Sequence, residues 1–309
     1  MNLKKPNFWE TKNNIFVILL LPFSLIFFLI TYLRRKFTIP VKFKIPVICI
    51  GNIFIGGTGK TPLSIFIAQE LKNLGRKPVI IKKFYENQKD EQMLIEKETG
   101  SLITHTQRKK AIKAAEENYD LAILDDGFQD YSIRKDLNIL CFNNEQLIGN
   151  GFIFPSGPLR ENFGRIIEAK IIIINGKKNE EFERKIYKIN RTVKIFYSKY
   201  EAQNIEKFRG KNTIAIAGIG NPQNFFKILQ DNDISLEKTI SYPDHYEFSQ
   251  LEIEKLEQEA KDKNCSIITT EKDFLRIQNL KFENISYCRV KLEIFKKDFF
   301  LNEIKNLYV

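Results

Sequence analysis

A chain of 309 residues, 43% of them hydrophobic, is long enough to bury a sizeable core in two compact units and too apolar for wholesale disorder. Its 49 Lys and Arg against 38 Asp and Glu leave a formal charge of +11, which favours anionic partners such as phospholipid, nucleotide or phosphorylated substrate. The basic residues are spread along the chain rather than interleaved with aromatics in one module, which speaks against a nucleic-acid binder.

The first predicted element is apolar. Ile15 to Leu33 reads IFVILLLPFSLIFFLITYL, about 19 residues without a charge, and as a helix it reaches roughly 28 Å, near the hydrocarbon thickness of a bilayer. A cleaved signal peptide does not fit, because Arg34, Arg35 and Lys36 follow in place of a small-residue cleavage site. A buried core helix does not explain a run that is apolar on every face. The expectation is a membrane-anchoring segment over residues 1–36. Arg34, Arg35, Lys36, Lys42 and Lys44 put its C-terminal flank on the cytoplasmic side. Lys4, Lys5 and Lys12 make the other flank basic too, and Pro22 interrupts the run, so a full span and a shallow monotopic insertion both stay open.

After a linker from Pro40 to Pro46, Val47 to Ile50 reads as a strand and Leu63 to Leu74 as a helix. Between them stands Gly51-Asn-Ile-Phe-Ile-Gly-Gly-Thr-Gly-Lys-Thr61. A strand, a glycine-rich turn ending Gly-Lys-Thr, and a helix make a phosphate cradle, in which backbone N–H groups close on phosphate oxygens at the helix N-terminus. Lys60 can reach the β- and γ-phosphates and the Thr61 hydroxyl can hold Mg²⁺. The strict pattern has glycine where this chain has Phe54. Next come a strand over 78–82, a helix over 90–98, a strand over 101–104, a helix over 107–118 and strands over 119–124, 138–142 and 170–174. This alternation predicts a parallel sheet covered on both faces, with ligands at the C-terminal strand ends. There Asp125-Asp126-Gly127 offers paired carboxylates, where a Walker B acid holds Mg²⁺ in phosphate-loop enzymes.

Past about residue 195 the pattern restarts, with strands over 213–217 and 266–270 and helices over 223–231, 249–263 and 271–277. The division expected is therefore a phosphate-loop core over 37–200 and a smaller α/β unit over 201–309. Cys49, Cys141, Cys265 and Cys288 lie mostly in apolar, strand-like runs without a CxxC spacing, which reads as buried thiols in a reducing compartment. A kinase also needs a proton acceptor for the attacked hydroxyl and cations for the transferring charge. The candidates, Asp90-Glu91, Lys83, Arg108, Arg160 and His245, are scattered, and by spacing alone a lone histidine is more often structural.

The ordered segments GNIFIGGTGKTP, KDEQMLI, ILDDGFQD, GNGFIFPSGPLRE, AGIGNP, YPDHYEFS and ITTEKD resemble the tetraacyldisaccharide 4′-kinases, the lipid A 4′-kinases of Gram-negative bacteria, over nearly the whole chain. The resemblance implies a phosphate-loop, Rossmann-like α/β core with a smaller C-terminal α/β domain and an N-terminal membrane helix. It implies an enzyme of the cytoplasmic face of the inner membrane. Such an enzyme moves the γ-phosphate of ATP to the 4′-hydroxyl of a tetraacyl disaccharide 1-phosphate, giving the bis-phosphorylated lipid A precursor. Carried over residue by residue, Phe54, Ile55, Gly56, Gly57, Thr58, Gly59, Lys60 and Thr61 bind ATP. Thr61, Asp125 and Asp126 hold Mg²⁺. Asp90 and His245 form the catalytic pair with Lys60, a carboxylate and an imidazole expected from two different domains. Lys83, Glu91, Gln129 and Arg160 face the substrate.

The chain departs from the family's pattern at several points. Lys82-Lys83-Phe84-Tyr85 replaces Ser-Arg-Gly-Tyr, so Lys83 keeps a cation without the fork of arginine. Gln92 replaces the proline after the Asp90-Glu91 acids. Asp130 stands where a histidine usually follows DDGFQ; it would repel phosphate unless it turns toward Mg²⁺ or a neighbouring lysine. A membrane-anchored phosphate-loop ATPase or GTPase switch is the alternative reading, but it leaves Asp90, Arg160 and His245 without a role.

Overall fold

The computed structural model describes residues 6–307, so Lys4 and Lys5 of the expected basic flank lie outside the described residues. By their contacts the residues form two compact units, a larger one of residues 6–84, 99–199 and 294–307 and a smaller one of residues 85–98 and 200–293. Residues 85–98, inside the range expected for the phosphate-loop core, thus make their contacts within the smaller unit.

The larger unit is built on strands β1 (Val47–Gly51), β2 (Pro78–Lys83), β3 (Leu102–His105), β4 (Leu121–Asp125), β5 (Leu137–Asn143), β6 (Ile171–Asn175) and β7 (Lys194–Ala202). They lie in the order β7-β6-β5-β1-β4-β2-β3, every pairing parallel. The central strands β1 and β4 are buried along their whole length and apolar except for the last residue of β4, Asp125, as a sheet covered on both faces requires. Register positions the site. Ile50 of β1 and Lys82 of β2 both pair with Asp125 of β4, so the C-terminal ends of three neighbouring strands stand level.

Helix α1 (Ile15–Phe37) begins at Asn14, whose side chain accepts from the Phe16 N–H, and ends with Arg34, Arg35 and Lys36 against its negative dipole end. It is helical through Pro22, and of its residues only Val17 and Ser24 are buried. Ser24 Oγ donates to Ile153 O (2.8 Å) and accepts from the Ser156 N–H (3.0 Å). Trp9 Nε1 donates to Pro155 O (3.0 Å) beside it. Phe16, Leu19, Phe23, Leu25, Ile26, Leu29 and Ile30 are exposed. Among the described residues this is the one helix long and apolar enough to cross a membrane.

Helix α2 (Lys60–Asn73) follows the glycine-rich turn, and helix α3 (Lys89–Thr99) carries the Asp90-Glu91 acids. Helices α4 (Arg108–Ala115) and α5 (Glu180–Ile189) complete the cover of the larger sheet together with the C-terminal helix described below.

The smaller unit has a parallel sheet of β8 (Thr213–Ala217), β9 (Leu236–Ser241), β10 (Ser266–Thr270) and β11 (Ile285–Cys288), in the order β11-β10-β8-β9. One side packs on Phe225, Phe226 and Leu229 of α6 (Pro222–Asp231). The other packs on Ile253 and Leu256 of α7 (Gln250–Asp262) and Ile277 of α8 (Glu271–Ile277). Strand β12 (Val290–Ile294) pairs with β7 at the edge of the larger sheet, and α9 (Lys297–Lys305) closes the chain. The fold is the α/β, parallel-sheet architecture expected. All four cysteines are buried free thiols, and burial pushes Cys49 up to about 11 and Cys141 up to about 12.

Candidate active site

The phosphate loop leaves β1 at Gly51, where a Cβ would lie 2.4 Å from Phe128 Cβ, so only glycine fits. Gly59, at φ 89°, turns the chain into α2. Asn52 spans the loop from inside, Nδ2 donating to Thr58 Oγ1 (2.9 Å) and Gly56 O (3.3 Å). Its own carbonyl accepts from Gln129 Nε2 (2.8 Å), so Gln129 braces the loop. From the other side Ile55 N–H donates to Pro158 O and Arg160 N–H to Ile53 O. Phe54 turns its side chain into the core at 1% exposure, while Gly56 and Gly57 are exposed. The residue standing in a glycine's place therefore packs, and the glycines after it keep the open backbone a phosphate needs.

Asp125 and Asp126 differ in their surroundings. Asp125 is fully buried, Oδ2 accepting from Lys82 Nζ (2.6 Å) and Thr61 Oγ1 (3.0 Å) and Oδ1 from Ser64 Oγ (3.2 Å). Asp126, in a left-handed conformation at φ 56°, receives Arg160 Nη1 on both oxygens at 3.0 Å and has Lys60 Nζ at 3.7 Å. Burial alone would raise the Asp126 carboxyl; Lys60 and Arg160 more than offset it and hold the group well below the usual carboxylate range. Arg108 Nη2 donates to the carbonyls of Asp126 (2.8 Å) and Asp125 (3.3 Å), fixing this turn from behind. Asp130 is engaged by a hydroxyl and an arginine. It accepts from Ser132 Oγ (2.6 Å) and faces Arg108 Nη1 at 3.8 Å, which neutralises it away from the phosphate position.

The second cluster lies within the smaller unit. Asp90, on the first turn of α3, is buried, with Oδ1 3.1 Å from His245 Nδ1 and Oδ2 accepting from Arg276 Nε (3.1 Å) and Nη2 (2.5 Å). Lys272 Nζ lies 3.5 Å from Asp90 and 2.9 Å from Glu91. Burial works against the Asp90 charge, but the His245 hydrogen bond, Lys272 and Arg276 together hold its carboxyl well below the usual range. A carboxylate only accepts, so His245 Nδ1 is the donor and Nε2 carries the free lone pair. Nε2 stands 3.9 Å from Glu91 and 3.8 Å from Asp244, too far for hydrogen bonds. His245 is itself left-handed at φ 59°, a conformation held by its N–H on Gly218 O. Gly218 also receives Arg276 Nη1 on its carbonyl and donates its N–H to Asp273 Oδ2.

The structure thus brings Lys60, Thr61, Asp125, Asp126, Gln129 and Arg160 together in the larger unit. Asp90, Glu91 and His245 meet in the smaller one. The Asp90–His245 pair corrects the expectation of a pair drawn from two domains, because the helix carrying Asp90 makes its contacts in the unit that carries His245. Lys83 is half-buried at the last position of β2. Sequence reasoning missed Lys82, Ser64, Lys272 and Arg276. The ITTEKD segment was the available signal for the last two, since α8 begins inside it.

Comparison with known proteins gives the arrangement its context. The sequence model of a family described as tetraacyldisaccharide-1-P 4′-kinase (LpxK) matches residues 16–308. The tetraacyldisaccharide 4′-kinase of Pelagibacter ubique (strain HTCC1062) is 43% identical over 304 residues, covering 95% of both chains. That of Haemophilus influenzae (strain 86-028NP) is 34% identical over 316 residues, 94% of this chain and 92% of its own. In fold the chain is similar to the "apo" form of LpxK from Aquifex aeolicus, crystallised in complex with ATP. The TM-score is 0.73 at 24% identity, covering 95% of this chain and 99% of that one.

Proposed function

From the premise that this chain belongs to the tetraacyldisaccharide-1-P 4′-kinase family, we propose that it transfers the γ-phosphate of ATP to the 4′-hydroxyl of a tetraacyl disaccharide 1-phosphate. The observation that carries the reading is the presence in one chain of both a glycine-lined phosphate loop and an oriented Asp90–His245 dyad. A switch ATPase needs the loop and has no use for the dyad.

The larger unit binds and polarises the nucleotide. The exposed Gly56 and Gly57 and the start of α2 receive phosphate oxygens, and Lys60 and Arg160 are the cations that meet the charge spread over the transferring group. The hydroxyl of Thr61 and the carboxylates of Asp125 and Asp126 form a hard-oxygen donor set, which suits Mg²⁺ rather than a softer metal. Bound there, Mg²⁺ would neutralise phosphate charge. In the transfer the 4′-hydroxyl oxygen bonds to the γ-phosphorus, the bond from that phosphorus to the β–γ bridging oxygen breaks, and ADP leaves. The hydroxyl proton goes to Nε2 of His245. Asp90 orients the ring and stabilises the imidazolium; its own oxygens are already engaged by His245 and Arg276.

The segment before residue 37 serves as the anchor, the phosphate-loop unit as the kinase core, and the smaller α/β unit as the carrier of the base. The exposed apolar side chains of α1 enter the bilayer from the cytoplasmic side, where the lipid acceptor resides and where Arg34, Arg35 and Lys36 meet anionic headgroups.

Incubation with γ-labelled ATP, Mg²⁺ and the purified disaccharide 1-phosphate in detergent micelles, followed by thin-layer separation, tests the reading. A labelled lipid product is expected from the wild type and none from Lys60→Ala. Absence of product from folded wild-type protein would overturn it.

A further inference from the structure

Lys82 is an unusual neighbour for a metal-holding carboxylate. It is 4% exposed, lies in the strand register that pairs it with Asp125, and places Nζ 2.6 Å from Asp125 Oδ2. With Thr61 on the same oxygen and Ser64 on the other, both oxygens of Asp125 are occupied by hydrogen-bond donors. Among the described residues no group of three or more His, Cys, Asp or Glu side chains is placed to hold a metal ion. The two carboxylates at the loop, Asp125 and Asp126, are met by three cations, Lys82, Lys60 and Arg160. A bare divalent cation entering this surroundings meets repulsion, whereas a nucleotide polyphosphate brings the negative charge that the surplus calls for.

We propose that Lys82 is a resident counter-cation of the Asp125 position: it holds that carboxylate in the nucleotide-free protein, so that the divalent ion enters only together with ATP. The inference rests on the reading of Thr61 and Asp125 as the metal-holding pair. Lys82 offers three donors and no lone pair while protonated, so it satisfies Asp125 without contributing a metal ligand. The Thr61 hydroxyl donates to Asp125 and keeps lone pairs for an ion delivered with the nucleotide. A neutral side chain at position 82 leaves Asp125 as an uncompensated buried carboxylate, which a divalent cation then relieves.

The test is Mn²⁺ binding to the full chain in detergent micelles, read from the loss of the free-ion electron paramagnetic resonance signal. Wild-type protein without nucleotide is expected to leave the free signal unchanged, and with ATP to remove more of the free ion than a protein-free control with the same ATP. Lys82→Met and Lys82→Ser are expected to bind Mn²⁺ without nucleotide at least about tenfold more tightly than wild type, the smallest change that removing a unit charge beside a divalent ion produces under aqueous screening. Lys82→Met combined with Asp125→Asn is expected to lose that binding again. Nucleotide-free wild type that binds Mn²⁺ as tightly as the ATP complex overturns the inference, and this arm needs no variant to fold. Folded Lys82 variants with unchanged metal affinity overturn it as well. Failure of wild type to take up Mn²⁺ even with ATP would instead remove the metal-site reading beneath it.

Discussion

Replacing Asp90 by Asn tests the dyad at the level of a single hydrogen. The Arg276 fork, Nε and Nη2, demands an acceptor, so the amide oxygen of Asn stays on that side. Its NH₂ then faces His245 Nδ1 at the position where the carboxylate oxygen stood 3.1 Å away. Nδ1 must become the acceptor, the ring hydrogen moves to Nε2, and the atom meant to receive the hydroxyl proton already carries one. The same tautomer trap in a Ser-His-Asp triad costs about 10⁴ in turnover, and a loss of about 10³–10⁴ in kcat is expected here. The KM for ATP should stay within about threefold, because none of the phosphate-loop side chains is altered.

Stability changes too. Arg276 keeps its partner Asp273 (Nη1 to Oδ1, 2.5 Å), so the loss should fall at the low end for a broken buried pair, about 3 kcal/mol. Burial opposes the Asp90 charge, but His245, Lys272 and Arg276 set its folded pKa below the unfolded value. Its contribution is therefore complete above an unfolded pKa of about 3.9 and declines as pH falls toward the folded value. The gap between wild type and variant should narrow below about pH 4 in urea titrations. Steady-state kinetics on the folded variant decide the catalytic claim: a kcat within tenfold of wild type would refute the tautomer argument.

Two further outcomes follow from the same geometry. A Cβ at residue 218 would lie 3.0 Å from Asp273 Oδ1, 3.3 Å from Arg276 Nη1 and 3.3 Å from Pro243 O, so Gly218→Ala should destabilise by about 1–3 kcal/mol in urea unfolding; wild-type stability would contradict the packing claim. Carbonate extraction of membranes should leave the intact protein in the pellet, since α1 exposes most of its apolar side chains; release into the supernatant would remove the integral-anchor reading.

How much of this was legible in the sequence depends on where each contact is made. Strands β1, β4 and β6 announce themselves because strands covered on both faces must be apolar up to the C-terminal residue that reaches the sheet edge. The phosphate loop is legible because its glycines answer a local backbone demand. Strand β9 was missed because Leu236–Ser241 is an edge strand with four of its six residues exposed, and so carries no apolar run. Helix α5 went unread because its inward face is only Phe182 and Ile186 among charged residues, too few apolar positions to announce a period. The resemblance named His245 as the partner of Asp90, but its cationic partner Arg276 went unread because it lies 186 residues away, and no local pattern says that α3 meets α8.

Long-range pairing also gives sense to two departures that look unrelated along the chain. Lys82 adds a cation where the family pattern has serine, and Asp130 adds an anion where it has histidine. Strand register puts Lys82 on Asp125, and the turn after β4 puts Asp130 opposite Arg108. Each new charge is met by an opposite one within the same unit, so the positive surplus of the phosphate-loop surroundings is the same with both changes as with neither. Either change alone would shift that balance by a full charge beside the phosphates: the added anion alone would weaken nucleotide binding, and the added cation alone would deepen the positive surplus. Changing the pair leaves the electrostatics of phosphoryl transfer in place. What it alters is the identity of the group that rests on Asp125 before the nucleotide arrives.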